Sequence, residues 1–482
     1  MLKRTRSVIA LILSAYMVMP VSAANNDLPD IGTAAAGTLT IDQELIYGDA
    51  YMRMLRASKP IVNDPVINEY ITNLGHKLVA NSDDVKTPFK FFMIRDRDIN
   101  AFAFFGGYVA LHSGLFLHAS TESELASVVA HEIAHVTQRH LARSMEEQAR
   151  RSPATIAALA GSLLLAIAAP EAGIAAFTAA TAGNIQSQIN YTRSNEKEAD
   201  RFGISTLAKA GFDVNAMPTF FSRLADQYRY ASTPPAMLLT HPLPQDRITD
   251  SRARAQNYSP IKLGPSIEYH LAKARIIARH VSIESDAALD WFERRLKKNN
   301  PTLKPTYEYG KALVYLDSKK LDEAESILTS LLKQDALNDF YLDALTDLYI
   351  YQNKSKKAVQ MLENALNKKP NNPVLLINYA NALIESSDYS QAVSLLQRYT
   401  HDNPTDTVGW QLLASAYGQQ GKTDQNLAAL GEVFALKANW NKAIQNFTQA
   451  GQIAELGSLN QARYDARIDQ LLVQRDRFLS LQ

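Results

Sequence analysis

Among the 482 residues there is no cysteine. Disulfide staples and thiolate ligands are therefore excluded, and any metal site must be built from histidine and carboxylates. A cysteine nucleophile is excluded with them, and no G-x-S-x-G stretch offers a serine in its place. Nor does one sign of charge dominate: 50 Lys and Arg stand against 49 Asp and Glu. That balance argues against a nucleic-acid partner. With 46% apolar and 21% charged residues the chain is globular rather than disordered, and its length calls for two or three domains.

Long apolar runs are scarce. "MLKRTRSVIALILSAYMVMPVSA" has a basic start, an apolar stretch from Val8 and small residues at Val21-Ser22-Ala23. It reads as a signal peptide, residues 1–23, cleaved after Ala23 for export to the periplasm. Losing Lys3, Arg4 and Arg6 with it takes the formal charge from +1 to −2. The second run, residues 154–182, carries only Glu171 and is interrupted by Pro170. Its first part makes about 24 Å of helix against a bilayer core of roughly 30 Å. A buried or lid-like hairpin is expected there, with peripheral membrane contact as the alternative.

What is present is a repeat and a histidine motif. Ala312, Thr346, Ala380 and Ala414 recur every 34 residues, as do Ala324, Ala358 and Ala392, and Pro370 and Pro404. Small residues at helix crossings with that period predict an all-α tetratricopeptide solenoid over residues 262–482. The register slips near its end, where the helix around 424–437 is expected to serve two units. Such arrays present concave surfaces to peptides and proteins. Residues 24–258 form the other unit, with helices predicted after Thr40 and Asp64, a strand in "FKFFMIRD" and a strand pair around Gly106-Gly107.

"VVAHEIAHVTQRHLAR" lies on a predicted helix that runs unbroken past Arg143. His131 and His135, four residues apart, share one face and can reach one zinc ion. Glu132 beside them can take a proton from a water that the metal activates. His140 is nine residues beyond His131, about half a turn away on such a helix, and cannot share that metal. A third ligand is needed, and "RSNEKEADRFG" offers Glu196 and Asp200 on one helix face with Glu198 turned away. Glu196 can ligate while Asp200 orients a ligand histidine. His241 precedes Pro242 and is therefore held out of helix; on its own residues it reads equally well as a surface-loop histidine.

"HEIAH", "NEKEAD" some sixty residues later, and the preceding "NAFAFFGGYVALHSGL" together resemble the M48 zinc metallopeptidases. The resemblance spans nearly the whole mature chain, and members with a signal peptide and a tetratricopeptide array are the nearest in plan. It implies an α+β zincin-like domain holding one Zn2+ per chain. Its ligands would be His131, His135 and Glu196, its general base Glu132, and His241 a fourth, regulatory ligand that closes the site at rest. Arg247 would line the cleft, where it could stabilise an oxyanion. Tyr108, Val109, Ala110 and Leu111 would be the edge strand that a substrate joins. Phe105 stands where other members often carry Pro. The resemblance further implies unfolded or misassembled outer-membrane β-barrel proteins as clients and the β-barrel assembly machinery as partner. A chaperone or scaffold with a closed, structural zinc is the alternative, and Glu132, which such a site does not need, discriminates the two.

Overall fold

The computed structural model describes residues 39–151, 193–230, 235–298 and 300–479. The signal peptide and residues 154–182 lie outside them. Among the described residues no helix is long and apolar enough to cross a membrane.

The first helix, α1 (Ile41–Ser58), starts at Thr40, whose side chain and that of Gln43 cap one another's backbone. α2 (Pro65–Val79) starts at Asp64, whose carboxylate accepts from Ile67 N at 3.2 Å. Three strands follow: β1 (Lys90–Ile94), β2 (Ala101–Phe104) and β3 (Tyr108–His112). Between β2 and β3, Gly106 and Gly107 both adopt positive φ, 76° and 75°. A Cβ on Gly107 would collide with the Pro88 carbonyl, so the glycine pair makes this bend without a proline.

The sheet corrects one expectation. Its order is β1-β3-β2, with β3 parallel to β1 and antiparallel to β2. Tyr108, Val109, Ala110 and Leu111 therefore lie on the central strand, hydrogen-bonded on both sides and fully buried. They have no free backbone edge to offer a peptide.

After α3 (Ser113–His118) comes α4 (Glu122–Thr137), the helix of the HEIAH motif. Thr121 caps it, while Glu124 accepts from Ser120 N and binds Arg223. The helix does not run on past Arg143. It stops at Gln138-Arg139, and α5 (His140–Arg151) begins anew, because Arg139 turns left-handed at φ 51°. Glu44 and the Leu39 carbonyl hold that guanidinium in a buried ion pair. α6 (Arg193–Lys209) crosses α4 closely at Gly203, where an added Cβ would lie 3.3 Å from His131 N. Three further helices, α7 (Ala216–Tyr228), α8 (Ala236–Thr240) and α9 (Gln245–Ala255), close this half.

The rest is a helical array. α10 (Ile267–Arg279) and α11 (Ser285–Lys297) precede helix pairs that keep the 34-residue register. The recurrent small residues fall at the crossings: Ala312, Thr346, Ala380, Ala324, Ala358 and Ala392 are fully buried and Ala414 nearly so. Near the end, the helix Thr423–Leu436 packs on the helices on both sides of it, as the slipped register requires. α10 also packs on α2 and α3, with Tyr269 Oη donating to the Ala119 carbonyl. The apolar core consequently runs without a break from α2 and α4 into the array. Buried charges join the halves as well: Asp64 binds Arg275 at 2.6 Å and His280 at 2.8 Å, and Arg275 binds Asp343 at 2.7 Å. Between the β1 side of the sheet and the array lies a cavity of about 430 Å3, lined in part by Arg56, Phe91, Ile377 and Tyr399.

Candidate metal centre

α4, α6 and the segment after α8 bring four side chains to one point. His131 Nε2 lies 3.0 Å from His135 Nε2, 3.4 Å from His241 Nδ1 and 3.4 Å from Glu196 Oε2. Glu196 Oε1 lies 3.3 Å from His135 Nε2 and 3.1 Å from His241 Nδ1. Ligands at about 2.0–2.1 Å from a tetrahedral ion stand about 3.3 Å apart. The spacing thus fits one tetrahedral ion. No residue of the four is more than 3% exposed. Glu132 is fully buried beside them, with His241 Nε2 3.5 Å from Oε1. Neither of its oxygens accepts a hydrogen bond from the described residues. A buried carboxylate left so is costly unless something polar occupies the space it faces.

Charges around the cluster are arranged to keep it. Burial works against protonating His131, yet the Asp200 and Glu196 carboxylates outweigh it and hold the pKa up to about 10. Burial drives His135 far below the ordinary histidine value. For Glu196 burial works upward, but the three histidines keep it well below the carboxylate range. Asp200 is likewise held low against burial, chiefly by Arg247 and His131.

Asp200 Oδ1 stands 3.0 Å from His131 Nδ1, behind the face turned to the cluster. Arg247 is 2% exposed and committed to carboxylates. It donates twice to Asp200 at 2.8 Å, to Glu196 Oε2 at 2.6 Å and to the Pro242 carbonyl at 2.7 Å. The oxyanion role expected of it is therefore corrected: these bonds occupy the guanidinium, which clamps the acids and the His-Pro turn.

His241 sits at the end of α8, its N–H donating to the Met237 carbonyl at 2.8 Å. Met237 N in turn donates to the Ile99 carbonyl just before β2. The cavity beside His131 and His241 measures about 10 Å3, and the one beyond His135 about 20 Å3. Each of these two spaces among the described residues holds a water at most.

From the sequence His140 and Glu198 are expected to turn away from the cluster; the structure instead links them to His135. The break at Arg139 swings His140 against His135, Nδ1 to Nδ1 at 2.8 Å, and Glu198 binds its other nitrogen. Burial lowers the His140 pKa to about 4. His140 lies five residues past HEIAH and Glu198 inside NEKEAD, and that proximity is the only signal the sequence carried.

An HExxH helix facing an acid from a second helix, under a small mixed sheet and joined to a repeat array, defines a metallopeptidase with a tetratricopeptide domain. The chain belongs to peptidase family M48, whose model matches residues 65–255, and a tetratricopeptide-repeat model matches residues 349–416. A Vibrio cholerae protein is 70% identical over 480 residues, 99% of each chain. The protein named beta-barrel assembly-enhancing protease in Yersinia pestis is 47% identical over 484 residues, 98% of this chain and 99% of that one. Its Escherichia coli K12 namesake is 46% identical over 481 residues, 98% of each.

Proposed function

We propose that this metallopeptidase is a periplasmic zinc endopeptidase that degrades misassembled or stalled outer-membrane β-barrel proteins and assists their assembly, and that His241 keeps it latent. His131, His135 and Glu196 hold one zinc, and His241 fills the fourth position at rest. When bound, zinc supplies Lewis-acid polarisation of the scissile carbonyl and of a water. Glu132 takes the proton of that water and delivers it to the leaving amine. Asp200 orients His131, and Arg247 holds both acids in place.

The observation that carries the reading is the close packing of His131, His135, Glu196 and His241 around one point, with Glu132 buried and unsatisfied beside it. Four protein ligands leave no room for water, so His241 must withdraw before catalysis. Its withdrawal with α8 would also release the Ile99 carbonyl just before β2. The named relatives support β-barrel proteins and their assembly machinery as clients and partner, received by the array. Contact with the membrane through residues 154–182 belongs to the same proposal.

The closed site favours a second reading, a chaperone or scaffold with structural zinc. Cleavage of an unfolded β-barrel protein by the wild type, His241→Ala and Glu132→Gln, with zinc quantified in each, separates the two. Faster cleavage by His241→Ala and none by Glu132→Gln at unchanged zinc is expected. If His241→Ala cuts no faster than wild type, the latency fails; if neither cuts while both bind client, the scaffold prevails.

A further inference from the structure

The two histidines of HEIAH are braced from behind in different ways. His131 meets a carboxylate directly, Asp200. Behind His135 stands another histidine, which in turn meets Glu198 at 3.1 Å, and Glu198 is bound by Arg143 at 2.9 Å. We propose that His140 and Glu198 form a two-residue relay that fixes the tautomer and ring orientation of His135, so that His140 is a positioning residue for the metal. This rests on the reading of His135 as a ligand.

The direction of the hydrogen bonds follows from the end of the chain. Glu198, ion-paired to Arg143, only accepts, so His140 carries its hydrogen on Nε2. With its ring hydrogen turned to Glu198, His140 presents the Nδ1 lone pair to His135. His135 must donate from its own Nδ1, because one of two ring nitrogens 2.8 Å apart has to be the donor. That leaves His135 Nε2, the nitrogen facing His131 and Glu196, without a hydrogen of its own, so that its lone pair points into the cluster where a metal would be held. One acid fixed by one arginine thereby sets the protonation pattern of two imidazoles.

The relay exists only because the helix stops. On an unbroken helix five residues would turn His140 about 140° away from His135. The left-handed Arg139 cancels that turn, and it is held by Glu44 from α1 and by the Leu39 carbonyl. A residue in so rarely adopted a conformation, locked by a buried ion pair, has a positional use here. The outcome is a matched pair of supports: Asp200 with Arg247 behind one histidine, and His140 with Glu198 and Arg143 behind the other.

The test uses the intact mature chain, stripped of metal and titrated with zinc against a chromophoric chelator. Asparagine at position 140 keeps an acceptor oxygen near the place of Nδ1; phenylalanine keeps the ring shape and removes it. His140→Phe should weaken zinc binding about 10–100-fold, and His140→Asn should stay within about 3-fold of wild type. Long-range 15N spectra of the zinc-free protein should show His135 as the Nδ1–H tautomer in wild type and His140→Asn, and a mixture in His140→Phe. Equal zinc affinity in the Phe and Asn variants, whether intact or lost, overturns the relay, as does a zinc-free wild type with His135 protonated on Nε2. If His140→Phe fails to fold, the wild-type and His140→Asn spectra still decide. A His135→Ala control that binds zinc as wild type does would sink the ligand reading itself.

Discussion

Replacing Arg247 with methionine should cost the metal-free protein about 3–5 kcal/mol, because it leaves buried charge uncompensated. Asp200 and Glu196 are each 1% exposed, and Arg247 makes four hydrogen bonds of 2.6–2.8 Å to them and to the Pro242 carbonyl. Hydrogen bonds to charged groups contribute about 1.5–3 kcal/mol each, though not additively. Methionine keeps an unbranched apolar stem, so the loss reports mainly the guanidinium, with its carboxylate bonds and its stacking over Phe221 at 5.3 Å. On the proposed function zinc would supply a second cation to Glu196, so saturating metal should shrink the cost. The assay is urea unfolding, with and without chelator, as a cycle with Asp200→Asn. Arg247→Met and Asp200→Asn should couple by more than about 1 kcal/mol, since each removes the other's reason to be charged. A cost below about 1 kcal/mol, or strict additivity, refutes the clamp. A loss of turnover without loss of stability would restore the oxyanion role.

Three further outcomes follow from the same packing. Asp64→Asn keeps the α2 cap but removes the charge facing Arg275 and His280, and should cost about 3 kcal/mol near neutral pH. Burial would raise the Asp64 pKa, but Arg275 and His280 hold it well below the carboxylate range. Its stabilisation is therefore present above about pH 4 and lost as pH falls further, so acid melts should be flatter in the variant. Ser387 adopts φ 68° in an inter-helix turn, and Ser387→Gly should raise stability by up to about 1 kcal/mol, with Gly421→Ala (φ 72°) lowering it, in thermal melts. Ala358→Leu, at a fully buried helix crossing, should cost about 1–3 kcal/mol by overpacking, read from urea midpoints.

What the sequence made legible was local. Thr40 and Asp64 announced their helices because a cap needs only the next three residues. The 34-residue register located the buried crossings, since each repeat packs on its neighbours alone. His131 and His135 share a face by helix geometry alone. The misreadings were non-local. Whether Tyr108–Leu111 form an edge depends on β1 pairing with them in parallel, which no pattern within the strand records. The break at Arg139 contains no glycine or proline and is held by Glu44, 95 positions away. Arg247 does line the small cavity beside His131, but its commitment to Asp200 and Glu196 could not be read until the acids were placed. The left-handed turns at Lys319, Asn353, Ser387 and Gly421 keep the repeat spacing, but only the last is glycine, which hid them.

In the proposed resting state His241 completes a metal shell with His131, His135 and Glu196. Zinc K-edge X-ray absorption of the intact mature protein, with and without His241→Ala, tests this most directly. Three imidazoles and one carboxylate oxygen are expected in the resting protein, and one imidazole fewer with an added light ligand in the variant. Two imidazoles in both, with the fourth position already taken by solvent, would contradict it.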